Sequence, residues 1–423
     1  MSDYLLGIDI GTYESKGVLV TATGEVVAGA AIGHPLSLPQ PGWVEHDAEG
    51  VWWHDFVRLC RRLLEQSRID PHRIAGVGAS AIAPCVLPVD AAGTPLRPAI
   101  LYGIDTRATQ EVADLERELT PEAIFAASGL RLSSQAAGPK ILWLRRHEPE
   151  VWAKTATILT GSGYLAFRLT GERTIDVYTA TAYAPLLDLR TAAWSREMAR
   201  PITPLERLPR LAWSGEIVGR VTARAAAETG LSEGTPVIAG TADAAAEALS
   251  AGMARPGDLM VMYGSSIFFI QETARLISSE RFWPALFLEP GSSAVAGGMS
   301  TAGALTRWFR DQLAPLERAA EQAGGPAAYE ALAALAASSP PGARGLVMLP
   351  YFAGERTPLN DPLARGVVAG LTLSHTRADL YRALLESVAY GIRHNIEGMC
   401  AEGVPPARIL AVGGGTRNAL WLQ

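Results

Sequence analysis

Short apolar runs alternate with glycine-rich turns and longer amphipathic stretches along the chain, as they do in proteins that mix strands and helices. Near the N-terminus, the apolar residues 5–10, 17–21 and 26–32 predict three strands joined by short turns. Residues 51–66 carry apolar positions at helical spacing, and the apolar run 74–79 predicts a buried strand. This order of elements predicts an α/β fold.

A similar order begins again in the second half of the chain. Residues 236–239 predict a strand, and residues 259–271 predict another strand–turn–strand unit with a turn rich in glycine and serine. Because this unit repeats the N-terminal arrangement, we expect two domains, formed by residues 1–235 and 236–423.

The C-terminal region adds a long helix, a strand and the beginning of another helix. Residues 379–399 have an amphipathic pattern, and Thr376 with Asp379 predicts a capping box at its start. Residues 409–412 predict a strand that runs into the three glycines 413–415. The last residues are helical in pattern and stop without a C-terminal capping signal. We therefore expect a longer natural gene product and an incomplete C-terminal domain.

The composition narrows the functional classes. Of the 423 residues, 48% are hydrophobic and 19% charged, which is typical of a globular protein. The net charge of −6 and the lack of basic runs argue against nucleic acid or an anionic membrane as a partner. The three cysteines lack metal-ligand spacing and favour a reducing compartment. With neither a signal peptide nor an apolar run of about 18 residues, we expect a cytoplasmic protein.

The first hairpin carries groups suited to a metal-bound polyphosphate. Asp9 can face Mg²⁺, Gly11 allows close approach of the backbone, and Thr12 and Ser15 offer hydroxyl donors, while Lys16 supplies a positive charge. The alternative interpretation is an ordinary surface hairpin with a capped turn.

Asp243 is the candidate for chemistry. It follows a strand and opens the alanine-rich helix predicted over 244–251, so the helix dipole is expected to keep its carboxylate ionised and able to accept a proton. The alternative is a helix-capping aspartate. The glycines 413–415 before the last helix suit a diphosphate or an adenosine, or form only a tight turn.

Four stretches carry motifs typical of one family. They are residues 366–371 with Asp379, Leu380, Ala383 and Glu386, residues 350–358, residues 43–47 with Trp52 and Trp53, and residues 140–143. Together they resemble the FGGY family of sugar kinases, and most of all its xylulokinases, over nearly the whole chain. The resemblance implies a two-domain fold of the actin/Hsp70/hexokinase (ribonuclease H-like) type, in which ATP and sugar meet in a cleft between the domains.

The resemblance also implies roles for particular residues. Asp9, with Mg²⁺, and Thr12 and Lys16 match the first phosphate hairpin, and Asp243 matches the base that takes the proton from the sugar hydroxyl. The remaining nucleotide-binding positions are Gly264, Ser265 and Ser266 in the second hairpin, and Gly303, Gly414, Gly415 and Asn418 in the nucleotide pocket. The implied partners are a small sugar and ATP, with a homodimer as a candidate assembly.

Two stretches depart from the xylulokinase pattern. Residues 80–85 lack the polar side chains that contact the sugar in that family, and residues 101–107 only approach a second family motif. In the latter, Asp105 and Arg107 are candidate substrate residues, or else a buried ion pair. D-Xylulose is the leading acceptor. The alternatives are another ketose or a polyol (ribulose, a hexulose or an erythritol-like compound), or a non-catalytic sensor of sugar and ATP.

Overall fold

The computed structural model describes residues 3–423. In chain order, the strands β1 to β22 span Tyr4–Ile10, Glu14–Thr21, Val26–Gly33, Glu45–His46, Ile74–Ala81, Leu87–Val89, Ala99–Ile100, Thr157–Leu159, Thr174–Asp176, Leu187–Asp188, Ala193–Trp194, Arg210–Ala212, Ile217–Arg220, Pro236–Ile238, Thr241–Ala242, Asp258–Tyr263, Ile267–Thr273, Trp283–Leu286, Ser293–Met299, Val347–Leu349, Val367–Ala369 and Arg408–Val412.

In the same order, the helices α1 to α15 span His54–Ser67, Thr109–Leu119, Pro121–Ser128, Ala137–His147, Pro149–Lys154, Gly161–Thr170, Val177–Thr181, Arg196–Ala199, Ala223–Thr229, Asp243–Ser250, Gly303–Leu313, Pro315–Gln322, Ala328–Ala337, Arg377–Ala401 and Ala419–Leu422. Short 3-10 segments lie at Pro71–Arg73, Leu205–Arg207, Ala343–Gly345 and Gly414–Arg417, and a π-helical segment, Ala48–Trp53, leads into α1.

The chain forms two compact units. One contains the described residues up to Glu247 together with Ala285–Ser292, and the other contains Ala248–Pro284 and Ser293–Gln423. The predicted boundary between residues 235 and 236 falls inside the first unit. The reason is a long-range pairing: β14 and β15, which follow residue 235, both pair with β5 of the first sheet.

The sheet of the first unit has the order β13-β14-β5-β1-β2-β3, with β15 also paired to β5. Strands β1, β2 and β3 are antiparallel neighbours, whereas β5 runs parallel to β1. Apolar residues alternate along β1, so that Leu6, Ile8 and Ile10 face the core. Helix α1 covers the same sheet with fully buried side chains such as Phe56 and Leu59. This helix begins later than predicted, because the π-helical turn precedes it.

The sheet of the second unit repeats this order. Its strands follow β18-β19-β17-β16-β22, and within the segment β19-β17-β16-β22 the strands β16, β17 and β19 are antiparallel and β22 is parallel to β16. The arrangement matches β3-β2-β1-β5 strand for strand, so the predicted duplication of the strand–turn–strand unit is confirmed. The predicted capping box between Thr376 and Asp379 is confirmed, and α14 begins at Arg377, two residues before the predicted start.

None of the helices in the described part of the chain, residues 3–423, is both long and apolar enough to span a membrane.

Candidate active site

The register of the first sheet brings three polar side chains to one end of neighbouring strands. Asp9, near the end of β1, lies opposite Lys16 of β2 and Ser80 of β5. Ser80 in turn pairs with Thr241 of β15, two residues before Asp243. Parallel strands present their carboxyl ends at the same edge of a sheet, so Asp9 and Asp243 come together although 233 residues separate them in the chain (243 − 9 − 1).

The environment of Asp243 favours a carboxyl group that titrates near neutrality. Burial, followed by the charge of Asp9, raises its pKa to about 7, although the amide of Ala244 donates a 2.8 Å hydrogen bond to Oδ1 and acts in the opposite direction. The expectation that the helix dipole keeps this group ionised is therefore wrong, since burial and the charge of Asp9 raise its pKa. The capping alternative is also weakened, because a capping side chain bonds amides further along the helix.

Asp9 lies in an acidic neighbourhood. Burial raises its pKa, while a 2.7 Å hydrogen bond from Ser80 and the charge of Lys16 lower it. The pKa of Glu247 is also raised, by burial and then by Asp9. Residues 3–423 contain no cluster of three or more acidic, histidine or cysteine side chains arranged for a metal.

The turn of the first hairpin is fixed by hydrogen bonds to residues far along the chain. Thr12 Oγ1 lies 3.0 Å from the hydroxyl of Tyr102, and the carbonyl of Thr12 lies 3.1 Å from Nε2 of His46. Trp52 Nε1 donates to Nδ1 of His46, so Nε2 carries the proton that is donated to Thr12. Burial, then His34, lowers the pKa of His46 to about 4, which keeps it neutral.

Tyr102 and His46 were not predicted as site residues. His46 and Trp52 lie within the motif stretches used for the family resemblance, but that signal does not reveal their contact with the hairpin. Glycine is required at position 11, because a β-carbon there would lie 2.7 Å from the carbonyl oxygen of Glu14; the close approach of Gly11 to a phosphate stays a prediction.

Two other residues predicted for the phosphate hairpin, Lys16 and Ser15, lie on opposite faces of β2. The side chain of Lys16 is 63% exposed and lies 3.4 Å from Glu14. Ser15, on the opposite face of β2, is fully buried and donates a 2.8 Å hydrogen bond to Asp55. Ser15 is therefore unavailable to a phosphate, and this part of the prediction is wrong because strand alternation turns its side chain into the core.

Asp105 and Arg107 form the buried ion pair that was the alternative interpretation. Arg107 Nη2 lies 2.7 Å from Asp105 Oδ2, both side chains are fully buried, and Arg107 also lies 2.8 Å from Glu45. Its guanidinium packs over the rings of Trp43 and Trp143, at 4.1 and 5.0 Å from their centroids. These contacts give both residues a structural role, and we do not carry them into the proposed sugar site.

The altered stretch 80–85 keeps one polar contact with the site. Ser80 points at Asp9, whereas Cys85 is fully buried and its thiol lies 3.2 Å from the carbonyl of Ile82. The carbonyl of Cys85 accepts a 2.7 Å hydrogen bond from Tyr183. Because Ser80 contacts Asp9, the loss of the sugar-contacting polar side chains from this stretch stays a prediction.

In the second unit, the predicted phosphate hairpin contacts the start of α11. The amides of Ala302 and Ala304 donate to the carbonyl of Ser265, and the amide of Gly303 donates to the carbonyl of Gly264. A β-carbon at Gly303 would lie 2.6 Å from that Gly264 oxygen. Glycine is thus required for this close approach.

The triple-glycine turn lies against the same hairpin. Gly413 has a φ of 92°, and a β-carbon there would lie 2.7 Å from the carbonyl oxygen of Tyr263. A β-carbon at Gly414, by contrast, would have no other atom of residues 3–423 within 4 Å. The Asn418 side chain caps α15 by accepting from the amide of Trp421 at 3.2 Å. The structure therefore groups the predicted nucleotide residues of this unit around the end of β16.

Comparison with known proteins identifies the family. Residues 4–250 match the N-terminal domain of the FGGY family of carbohydrate kinases, and residues 259–423 match its C-terminal domain. The chain belongs to the FGGY family. It is accordingly a carbohydrate kinase, a phosphotransferase of a family that uses ATP as the phosphate donor.

Individual relatives differ in the sugar on which they act. The chain is 32% identical to the xylulose kinase of Escherichia coli strain K12, over 99% of this chain and 83% of that protein. It is 29% identical to the gluconokinase of Bacillus subtilis strain 168, over 100% of this chain and 82% of that protein. The crystal structure of xylulose kinase from Rhodospirillum rubrum superposes with a TM-score of 0.92 at 36% identity, over 99% of this chain and 83% of that one.

Proposed function

We propose that this FGGY kinase transfers the γ-phosphoryl group of ATP to a terminal hydroxyl of a small neutral sugar, with D-xylulose as the leading acceptor and Asp243 as the general base. The observation that carries the proposal is the convergence of Asp243, Asp9 and Ser80 at one end of the first sheet. Phosphoryl transfer depends mainly on positioning and charge stabilisation, and this cluster supplies both.

Asp243 suits the removal of a proton from a sugar hydroxyl. A general base works best when its pKa lies near the operating pH, and the pKa of Asp243 is raised to about 7. The amide of Ala244 fixes one carboxylate oxygen, which holds the side chain in a single orientation while it accepts the proton.

Asp9 is the proposed contact for Mg²⁺. The one hydrogen bond that its side chain accepts from residues 3–423 comes from Ser80, to Oδ1. Burial raises the pKa of Asp9 even though Ser80 and the charge of Lys16 lower it, and a bound cation would stabilise the ionised carboxylate. The chemistry that Mg²⁺ supplies when bound is charge neutralisation on the transferred phosphoryl group. Gly11 and Thr12 form the turn beside Asp9.

The charges around Asp243 favour a neutral acceptor over a sugar acid. Asp9 and Glu247 both raise the pKa of Asp243, so the first unit presents negative charge to the substrate. The ammonium of the buried Lys140 donates to three backbone carbonyls at 2.7–2.8 Å and so has no donor left for a ligand carboxylate. Lys16 is exposed and lies beside Glu14. These charges support our proposal of an acceptor like that named for the xylulose kinases over one like that named for the gluconokinase.

A coupled assay of ADP release tests the proposal on a panel of D-xylulose, D-ribulose, a hexulose, erythritol and gluconate. We expect neutral acceptors, led by D-xylulose, to raise the rate of ADP release and gluconate to leave it unchanged. A maximal response to ribulose, a hexulose or erythritol would move the acceptor to that alternative, consistent with the altered stretch 80–85. If no sugar raises the rate, the non-catalytic sensor is the better account.

A further inference from the structure

A buried side-chain contact links the strand that immediately precedes Asp243 to a neighbouring segment of the first unit. Asp176, the last residue of β9, is fully buried. Its Oδ2 accepts a 3.0 Å hydrogen bond from the amide of Thr179, which caps α7, and a 2.9 Å hydrogen bond from the hydroxyl of Thr241. Asp176 therefore joins two elements that are far apart in the sequence.

The strand that receives this contact is held by few backbone bonds. β15 contains only Thr241 and Ala242, which pair with Ser80 and Ala81 of β5, and Asp243 follows at once. A strand of two residues has few ladder hydrogen bonds to fix its position. One charge-assisted bond to Thr241 is therefore a large part of what determines the position of Asp243.

The approach to β15 is constrained from its other end as well. Gly240 has a φ of 75°, and a β-carbon there would lie 2.0 Å from the carbonyl oxygen of Ala79. The chain thus passes very close to β5 at Gly240 and is tied to Asp176 one residue later. The backbone that leads to Asp243 is therefore fixed at two points, by the close approach of Gly240 to Ala79 and by the hydrogen bond from Thr241 to Asp176.

The contact has an energetic cost, which argues against a role in stability alone. The second carboxylate oxygen of Asp176, Oδ1, is buried and has no hydrogen-bond partner among residues 3–423. A buried unsatisfied acceptor is unfavourable, and an apolar pair of similar volume commonly serves stability as well or better. The hydrogen bond between Thr241 and Asp176 is therefore better explained by its effect on the position of β15 than by its effect on stability.

We propose that Asp176 and Thr241 are positioning residues that hold Asp243 at the distance from Asp9 and the sugar hydroxyl that proton transfer requires. The inference rests on the proposed role of Asp243 as the base. Neither residue needs to contact the substrate, since their effect passes through β15. A displacement of about 1 Å at a reacting group can reduce a rate by about a hundredfold.

Removing the hydroxyl of Thr241 tests the inference. We expect Thr241→Val to lower kcat by roughly 10- to 100-fold while the KM for ATP changes by less than about twofold. Thr241→Ser keeps the hydroxyl and is expected to restore kcat to within about threefold of the wild type. Thr241→Ala removes the same bond without a methyl group in its place, and it serves if the valine variant does not fold.

A matched control is Thr229→Val, which removes another buried hydroxyl of the same unit, one that donates to the carbonyl of Ala225 at 2.7 Å. Its melting temperature is expected to fall as much as that of Thr241→Val, with kcat unchanged. Wild-type kcat in both Thr241→Val and Thr241→Ala, or an equal loss of kcat in Thr229→Val, would overturn the inference. Asp243→Asn is assayed alongside: if that variant keeps its turnover, the proposed base is wrong, independently of Thr241.

Discussion

Asp243→Asn is predicted to stabilise the protein at alkaline pH while removing its activity. In the folded protein the pKa of Asp243 is raised from its ordinary value of 3.8 to about 7, by burial and then by Asp9. A carboxyl group with a raised folded-state pKa binds its proton more tightly in the folded state than in the unfolded state. Its contribution to stability is therefore fully present below about pH 3.8 and is lost as the pH rises through about 7.

The size of the effect follows from the shift in pKa. A difference of about three pKa units corresponds to about 4 kcal/mol at full effect. Because Asp243 keeps partial contact with solvent, we discount this to about 2 kcal/mol. Asparagine carries no charge in either the folded or the unfolded state, so the variant does not lose this stability as the pH rises. In a protein of 423 residues, about 2 kcal/mol corresponds to a rise of about 2 °C in melting temperature at pH 8, and to little change near pH 4.

The assay is thermal and urea unfolding of wild type and variant in steps from pH 4 to pH 8. Asp114→Asn is a control of opposite sign, because the hydrogen bond from Arg146, 2.6 Å long, lowers the pKa of Asp114. That group adds stability above its unfolded-state pKa and loses it as the pH falls, so its variant is expected to be less stable at pH 8. If Asp243→Asn gains nothing relative to wild type between pH 4 and pH 8, the carboxylate is not in the unfavourable environment described above.

Three further predictions follow from the same contacts. With the wild type, kcat should fall about tenfold per pH unit below about pH 7, as Asp243 gains its proton, and a flat profile from pH 5 to 8 would exclude this base. Asp9→Asn should raise the Mg²⁺ concentration for half-maximal rate by at least about tenfold, and an unchanged Mg²⁺ titration would remove Asp9 from the metal site. Gly303→Ala should raise the KM for ATP by roughly tenfold, because its methyl group meets the carbonyl of Gly264; the control is Gly215→Ala, which meets no atom within 4 Å, and equal KM values in the two variants would argue against the contact.

The elements of the fold that depend on local sequence were predictable. The strands around the two hairpins and the capping box of α14 lie where apolar alternation and the Thr376–Asp379 spacing put them. The repeat of strand order between β3-β2-β1-β5 and β19-β17-β16-β22 was visible as a repeated pattern, although the parallel partners β5 and β22 come from distant segments.

The predictions that were wrong concern features that depend on contacts between residues far apart in the sequence. Local pattern makes Pro236–Ile238 a strand but cannot say which sheet it joins, and β14 pairs with β5 of the first unit. Ser15, Asp105 and Arg107 are polar residues, but they lie inside the protein. Strand alternation turns Ser15 toward Asp55, and Asp105 and Arg107 form a buried ion pair. The pKa of Asp243 depends on burial and on Asp9, neither of which its own helix reveals.

The central claim is that Asp243 is the base of a sugar kinase, and the most direct test measures sugar-dependent ADP release by wild type and Asp243→Asn with D-xylulose. We expect the wild type to respond to the sugar and the variant to lose that response by at least about a hundredfold, since loss of a general base typically costs about 10²- to 10⁴-fold. ATP binding by the variant, measured by calorimetry, should be unchanged. Sugar-dependent turnover in Asp243→Asn equal to that of the wild type would contradict the account.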